Sequence, residues 1–352
     1  MFSKRAKPML GLDISTSSVK VIELSQTKAG YRVDHYAAEP MPQNAITDKV
    51  IVDVDATGDA VRKAVKRSGS RTKLAAVAIG GASVISKVIT LPANLSGKEM
   101  EEQVELQADQ YIPFPLEEVS YDFEVQGPSE ADPDMVDVFL AATRSENVEH
   151  RQAVLEAAGL QAKVVEIESD AMENACSLLT HQMPDNGLDK TIAVVDFGAT
   201  TTTFSILNDR KVAYTRDQNF GGRQLTEEIM RAYGLSFEEA GKAKKEGGLP
   251  GNYETDILEP FVDDMAQQIN RSMQFYLSSH AGGGQLDQVI VCGGCAAIPG
   301  VDQMIQERLE VPTVIGNPFG EMKLSSRARA QNVEKDAPAL MIACGLALRS
   351  FD

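Results

Sequence analysis

Two acids, each followed by a run of hydroxyl-bearing residues, have the types and spacing to hold a phosphate chain. In Val194-Val195-Asp196-Phe197-Gly198-Ala199-Thr200-Thr201-Thr202-Thr203-Phe204-Ser205-Ile206-Leu207, an apolar run meets an acid, a glycine and four threonines, then turns apolar again. That order predicts strand, tight turn, strand. Gly198 admits backbone conformations that a Cβ resists. Such a turn aims successive N–H groups and hydroxyls into one concavity, which suits phosphate. An acid at the strand end beside it suits the water shell of Mg²⁺. An ordinary hairpin with a Thr-rich turn would carry the same residues. The unit, however, occurs twice. Laid on it without a gap, Gly11-Leu12-Asp13-Ile14-Ser15-Thr16-Ser17-Ser18-Val19-Lys20-Val21-Ile22-Glu23-Leu24 sets Asp13 on Asp196 and Ser15 on Gly198. Ser17 and Ser18 fall on Thr200 and Thr201, and Leu24 on Leu207. A unit repeated half a chain apart predicts two related halves, with one polyphosphate clasped between two hairpins. A third stretch, Val289-Ile290-Val291-Cys292-Gly293-Gly294, runs from a buried strand into a glycine pair, where backbone can approach a flat base or ribose.

The elements that must position these residues follow from periodicity. Strands are predicted at 9–14, 19–25 and 31–37, then a helix over 55–68 stopped by Gly69. A buried strand at 74–79 breaks at Gly80-Gly81, and 84–91 is a further strand. Ser96 with Glu99 forms a capping box, followed by Met100, Val104, Ala108 and Tyr111 on one helical face. Tyr111-Ile112-Pro113-Phe114-Pro115 ends that helix in an extended run, because proline blocks its continuation. Strands at 120–126 and 136–143, split by an acidic loop at 129–134, and a helix over 146–158 complete a small α+β insertion at about 92–164. A strand at 164–168 leads to a helix over 169–180 with Ser169 as N-cap. After the second hairpin come a strand at 211–216, helices over 224–233 and 236–245, and one long helix over 253–279 with a core-facing apolar stripe. Residues 280–284 return the chain to the sheet, and a nearly all-apolar helix over 338–349 crosses back between the halves.

Composition narrows the function. With 352 residues and 43% apolar residues the chain builds two or three cores at roughly 150 residues per domain. A formal charge of −17 argues against nucleic acid and against adsorption to an anionic membrane. Lys4, Arg5 and Lys7 make only a small basic tip. Pro8 and these charges interrupt any secretory signal, and no apolar run reaches the roughly 18 residues of a membrane span. Four cysteines imply a reducing compartment. Cys292 and Cys295 lack two further zinc ligands at suitable spacing, and the four histidines are scattered. These features point to a cytoplasmic protein that reaches a membrane only through a partner.

The three glycine- and hydroxyl-rich stretches resemble the phosphate-1, phosphate-2 and adenosine motifs of the actin, Hsp70 and sugar-kinase superfamily. Leu12-Asp13-Ile14-Ser15-Thr16-Ser17-Ser18-Val19-Lys20, Glu105-Leu106-Gln107-Ala108-Asp109-Gln110-Tyr111-Ile112-Pro113-Phe114, Asn219-Phe220-Gly221-Gly222, Asn317-Pro318-Phe319 and Gly345-Leu346-Ala347-Leu348-Arg349 resemble the bacterial type IV pilus assembly PilM family, related to the cell-division protein FtsA. The resemblance spans nearly the whole chain. It implies an α/β, actin-like (ribonuclease H-like) duplicated fold, with two halves around a nucleotide cleft and a small α+β insertion in the first half. It sets the first core at 1–91, 165–189 and 340–352, the insertion at 92–164, the second core at 190–223 and 285–339, and a helical subdomain at 224–284.

The resemblance further implies ATP and Mg²⁺ between the halves. Ser15, Thr16, Ser17 and Lys20 would hold phosphates from one side and Gly198, Ala199, Thr200 and Thr201 from the other. Asp13 and Asp196 would hold the metal through water. Gly221, Gly222, Lys245, Gly293 and Gly294 would approach the nucleoside. Glu168, at a strand–helix junction, stands where the superfamily orients its hydrolytic water; an acid favoured by a helix N-terminus would sit there equally. Ser15 replaces a glycine common in the superfamily, which predicts looser phosphate contact and slow or absent hydrolysis. Tyr111, Ile112 and Phe114 are implied to face a partner, the cytoplasmic N-terminal tail of the membrane protein PilN; a plug of the insertion's own core is the other reading. Further pilus inner-membrane and motor components and self-association are implied as well. A filament-forming cytoskeletal ATPase and a small-molecule kinase share the phosphate motifs, and fold alone does not separate them.

Overall fold

The computed structural model describes residues 8–28, 30–129, 132–279, 285–330 and 333–352. The basic tip at residues 4–7, part of the acidic loop at 129–134 and the return segment 280–284 lie outside the described residues. Strands β1 (Leu10–Ile14), β2 (Ser18–Thr27) and β3 (Gly30–Pro40) run antiparallel. A short hairpin, β4 (Ile46–Thr47) and β5 (Val50–Ile51), leads to helix α1 (Val54–Ser68), capped by the Asp53 side chain and ended by left-handed Gly69. Strand β6 (Leu74–Ile79) lies parallel to β1.

The chain then leaves this sheet. Strand β7 (Val84–Pro92), helix α2 (Gly97–Tyr111), β8 (Val119–Pro128) and β9 (Met135–Arg144) form a three-stranded sheet of order β7-β9-β8. Its core joins Ile89, Leu91, Val138 and Leu140 to Met100, Val104 and Ala108 of α2. Helix α3 (Ser145–Ala157) is not part of that layer: Val154 and Leu155 are buried with Leu12, Val61 and Val77. The inserted unit is therefore β7 to β9, shifted toward the N-terminus from the 92–164 expected.

Strand β10 (Gln161–Ile167) returns parallel to β6, and α4 (Glu168–Cys176) follows at once. Ile167 occupies the N-cap and Ser169 makes no cap bond, so the predicted Ser169 cap is displaced by one helix starting earlier. The second half repeats the first. Strands β11 (Thr191–Phe197), β12 (Thr202–Asn208) and β13 (Lys211–Gln218) run antiparallel. Helices α5 (Gly222–Tyr233), α6 (Phe237–Glu246) and α7 (Glu259–Ser279) precede β14 (Gln288–Cys292), which is parallel to β11, and α8 (Val301–Leu309) precedes β15 (Thr313–Ile315). The predicted helix over 253–279 begins instead as a π-helical turn, Glu254–Leu258. Pro260 explains the change, because it has no N–H to close an i→i−4 bond there.

The two sheets, β10-β6-β1-β2-β3 and β15-β14-β11-β12-β13, thus share one order and one pattern of directions. The first gains β16 (Lys323–Leu324), parallel to β3, backed by α9 (Ser326–Ala330) and α10 (Val333–Asp336). Phe319, Ala328, Val333 and Ala337 are buried with Ile22, Leu24 and Tyr36 of the first sheet. The return to the first half therefore starts near Phe319, not at residue 340. Helix α11 (Met341–Leu348) lies on the first sheet through Ala343, Cys344 and Ala347. Met172, Ala175 and Leu179, on and just beyond α4, are buried against Ile192, Val194 and Ile290 of the second sheet. The two helices pack on each other and join the halves. Among the described residues no helix is long and apolar enough to cross a membrane.

Candidate functional site

The internal repeat holds at the level of single hydrogen bonds. In the first hairpin Ser15 N donates to Ser18 O at 3.0 Å, and in the second Gly198 N donates to Thr201 O at 3.0 Å. Asp13 sits opposite Lys20 across β1 and β2, and Asp196 opposite Thr203 across β11 and β12. The two units differ where the sequences do. A Cβ at Gly198 would come within 2.8 Å of Thr201 O, whereas Ser15 has that Cβ and donates its hydroxyl to Ser18 O at 2.9 Å. The Ser15 hydroxyl thus closes its own turn. Thr16 and Ser18 are half-buried and Ser17 is exposed.

The hairpin acids of the two halves, Asp13 and Asp196, lie within electrostatic reach of each other and of Lys20. Lys20 Nζ lies 2.7 Å from Asp13 Oδ2. Burial alone would lower the Lys20 ammonium, but Asp13 beside it, then Asp196 and Glu168, hold it above the ordinary lysine value. Burial pushes the Asp196 carboxyl up to about 6; Lys20 opposes this and Asp13 adds to it. Lys49, from the turn between β4 and β5, reaches Glu168 Oε2 at 2.5 Å and Asp217 Oδ2 at 3.8 Å. Asp217 in turn accepts from Thr203 Oγ1 at 2.7 Å. One charge cluster, Asp13, Lys20, Lys49, Glu168, Asp196 and Asp217, therefore spans both halves.

Glycines line the approach to it. The start of α5 is tied to the second hairpin by Gly222 N to Gly198 O at 3.0 Å and Arg223 N to Ala199 O at 2.8 Å. A Cβ at Gly221 would stand 2.7 Å from Gly198 O and Ala199 O. Gly293 has φ +85°, and a Cβ there would lie 2.6 Å from Asp196 Oδ1. Gly294 is exposed and Gly222 buried. Thr200 and Thr201 are half-buried at the turn.

Two expected site residues are placed elsewhere. Lys245 is exposed on α6, while Lys244 turns inward and donates to Gly222 O at 2.8 Å and Thr226 Oγ1 at 2.7 Å. The signal for Lys244 was available: it stands four residues after buried Ala240, on the same helical face. Ile112 is 5% exposed and belongs to the core of the insertion, so it does not face outward. Tyr111 is exposed, with Lys87 Nζ 3.6 Å from its ring centre, and Phe114 is half-buried with the Arg144 guanidinium 4.5 Å from its ring. Sequence reasoning did not single out Lys49, Asp217 or Arg151, which lie in no motif. Cys292 and Cys295 are free and buried, and burial pushes the Cys295 thiol up to about 12, so it is inert packing beside Gly222.

Two ribonuclease H-like halves that meet over acid-tipped hairpins define the actin-like fold. The family model of the type IV pilus assembly protein PilM matches residues 11–351, and the chain belongs to that family. It is similar to a solved structure of a PilM-PilN type IV pilus biogenesis complex, 25% identical with a TM-score of 0.83, covering 99% of both chains. It is also similar to the cell division protein FtsA of Bacillus subtilis, 23% identical over 356 residues, covering 88% of this chain and 78% of FtsA. The solved structure of the ethanolamine utilization protein EutJ from Carboxydothermus hydrogenoformans shares the fold, at 19% identity and a TM-score of 0.58 over 97% of this chain and 89% of EutJ.

Proposed function

We propose that this chain is a scaffold of type IV pilus assembly that holds ATP with Mg²⁺ between its halves and docks the cytoplasmic N-terminal tail of a PilN-type membrane protein. The convergence of Asp13, Lys20 and Asp196 from two hairpins carries the nucleotide half of this reading. Gly198, Gly221 and Gly293 let the second half pack tightly on the second hairpin, since a Cβ at each would meet Thr201 O, Gly198 O and Phe197 O in turn; that packing would fix the turn offered to the phosphates. Bound MgATP would supply a polyanion and its metal, a ligand that both halves contact at once. Ser17, Thr16 and Lys20 would hold phosphates from the first hairpin, Gly198 to Thr201 from the second, and Asp13 and Asp196 the metal's water shell.

The docking half rests on the insertion and on the likeness to a solved PilM-PilN complex. Leu106 and Tyr111 of α2 and Tyr121 and Val125 of β8 are exposed apolar side chains, the last two on the face of the sheet that carries α2. Such a surface suits a peptide partner. The tail would recruit the chain to the inner face of the inner membrane, where other pilus components and further copies are within reach. Nucleotide biases cleft closure, and the insertion responds, a coupling typically worth about 1–3 kcal/mol and reciprocal.

Fluorescence anisotropy of the labelled tail peptide, titrated with and without MgATP, tests this. Saturable binding that weakens about tenfold on Tyr111→Ala or Phe114→Ala is the expected result, as loss of an aromatic anchor costs about 1–2 kcal/mol. No binding in either state would sink the docking reading.

The cleft acid makes a second expectation, on pH. Below about 6 Asp196 becomes protonated and loses the charge that a hydrated metal needs. Affinity for MgATP is therefore expected to fall about tenfold from pH 7 to pH 5. Without Mg²⁺ the sign reverses, since protonation removes a repulsion from the phosphates. Titration of a fluorescent ATP analogue at both pH values, with and without metal, reads both signs; a flat profile with metal would remove Asp196 from the site.

A further inference from the structure

Lys49 lies outside both hairpins, yet the backbone is shaped to deliver it. Asp48 and Lys49 take left-handed conformations, φ 48° and 64°. The Lys49 stem passes over Gly81, where a Cβ would stand 3.1 Å from its Cδ. Glu168 lies against Gly80, and a Cβ there would overlap its carboxyl group. The Gly80-Gly81 pair that ends β6 thus leaves room for one ion pair, acid over the first glycine and lysine over the second.

The turn is held from beneath by Arg151, 2% exposed. Its guanidinium donates to Ala78 O at 2.6 Å, to Lys49 O at 3.3 Å and to Asn147 O at 3.4 Å. A buried guanidinium satisfied by three carbonyls fixes the end of β6, the Lys49 turn and α3 to one another.

We propose that Lys49, held by Arg151, is a positioning residue that keeps the Glu168 carboxylate engaged, so that the cleft holds a nucleoside triphosphate without consuming it. This rests on the nucleotide reading above. Hydrolysis requires a water oxygen to bond to the terminal phosphorus while the bond to the departing diphosphate breaks and that diphosphate takes the electron pair. The water's proton must pass to a base. Glu168 stands at the strand–helix junction for that role, but the Lys49 ammonium occupies its nearer oxygen at 2.5 Å.

The first test uses the full chain without nucleotide. Acylation by an amine-reactive ester, mapped by mass spectrometry, is expected to modify Lys49 at least about tenfold more slowly than exposed Lys63, because an ammonium held in an ion pair presents little free amine. Glu168→Gln should speed Lys49 selectively. Equal rates at Lys49 and Lys63 in the unsubstituted chain would overturn the proposal. The second test compares Lys49→Met, Lys49→Gln and Lys49→Arg. Met and Gln should raise single-turnover hydrolysis, read at saturating nucleotide, about tenfold to a hundredfold, within the range of a general base. Arg should keep the original rate. No gain in either neutral variant at saturating nucleotide overturns the proposal. Failure of every form to bind a fluorescent ATP analogue, with the labelling pattern intact, overturns the nucleotide reading and this proposal with it.

Discussion

Gly345→Ala is expected to destabilise the chain by about 3 kcal/mol or more, at the upper end of what overpacking a core costs. Gly345 lies where α11 crosses α4, and a Cβ there would overlap the Ala171 carbonyl oxygen and stand 2.6 Å from its carbon. The obstacle is main chain, so no rotamer change relieves it. Nor can α11 retreat toward the sheet behind it. Gly11 of β1 meets the other side of the same helix, where a Cβ would overlap Ala343 O and approach Ala347 N at 2.6 Å. β1, α11 and α4 form a stack with no slack. Because α4 carries the side chains that bury the second sheet, the strain reaches the joint between the halves. Gly241→Ala is the control. It lies inside α6 with nothing within 4 Å of a built Cβ, so the same change should stabilise by about 0.5–1 kcal/mol. Urea unfolding of both variants decides it; equal midpoints would refute the close crossing.

That stack was partly legible. The nearly all small and apolar run over 338–349 announced a helix crossing back between the halves, and the duplicated hairpin announced the two halves. The shared N–H bond of Ser15 and Gly198 shows why the second inference worked: the repeat is one of backbone geometry, and residue types follow it. Other features left no local trace. The chain's return at Phe319 depends on β16 finding the edge of β3, a two-residue pairing. The π-turn before α7 required weighing Pro260 against an otherwise continuous apolar stripe. Lys49 reads as one surface lysine in a turn; only the paired glycines at 80 and 81, over thirty residues away in sequence, make room for it. Gly80 and Gly81 do end the strand, as their type predicts, and they are also the place where a distant side chain passes.

Gly221→Ala carries the sharpest expectation for the cleft itself. Gly221 has an extended backbone, φ 178°, that any residue adopts, so the substitution is tested by space alone. Its Cβ would stand 2.7 Å from both Gly198 O and Ala199 O, the acceptors that tie the second hairpin to the start of α5. The hairpin must move away or those bonds must lengthen. Thr202, whose hydroxyl donates to Phe220 O at 2.8 Å, resists the first. The cost of such a close contact is about 1–3 kcal/mol. If it is relieved only by distorting the turn, it appears as a tenfold to hundredfold loss of affinity for a phosphate chain, at 1.4 kcal/mol per factor of ten. The first hairpin should not compensate, since Ser15 already commits its hydroxyl to Ser18 O. Calorimetric titration of MgATP into Gly221→Ala, beside thermal unfolding of the same sample, separates the outcomes. Lost affinity with a near-original midpoint assigns phosphate contact to the second hairpin. Unchanged affinity would move the phosphates off Gly198 to Thr201 and leave the first hairpin, with Lys20 and Asp13, as their holder.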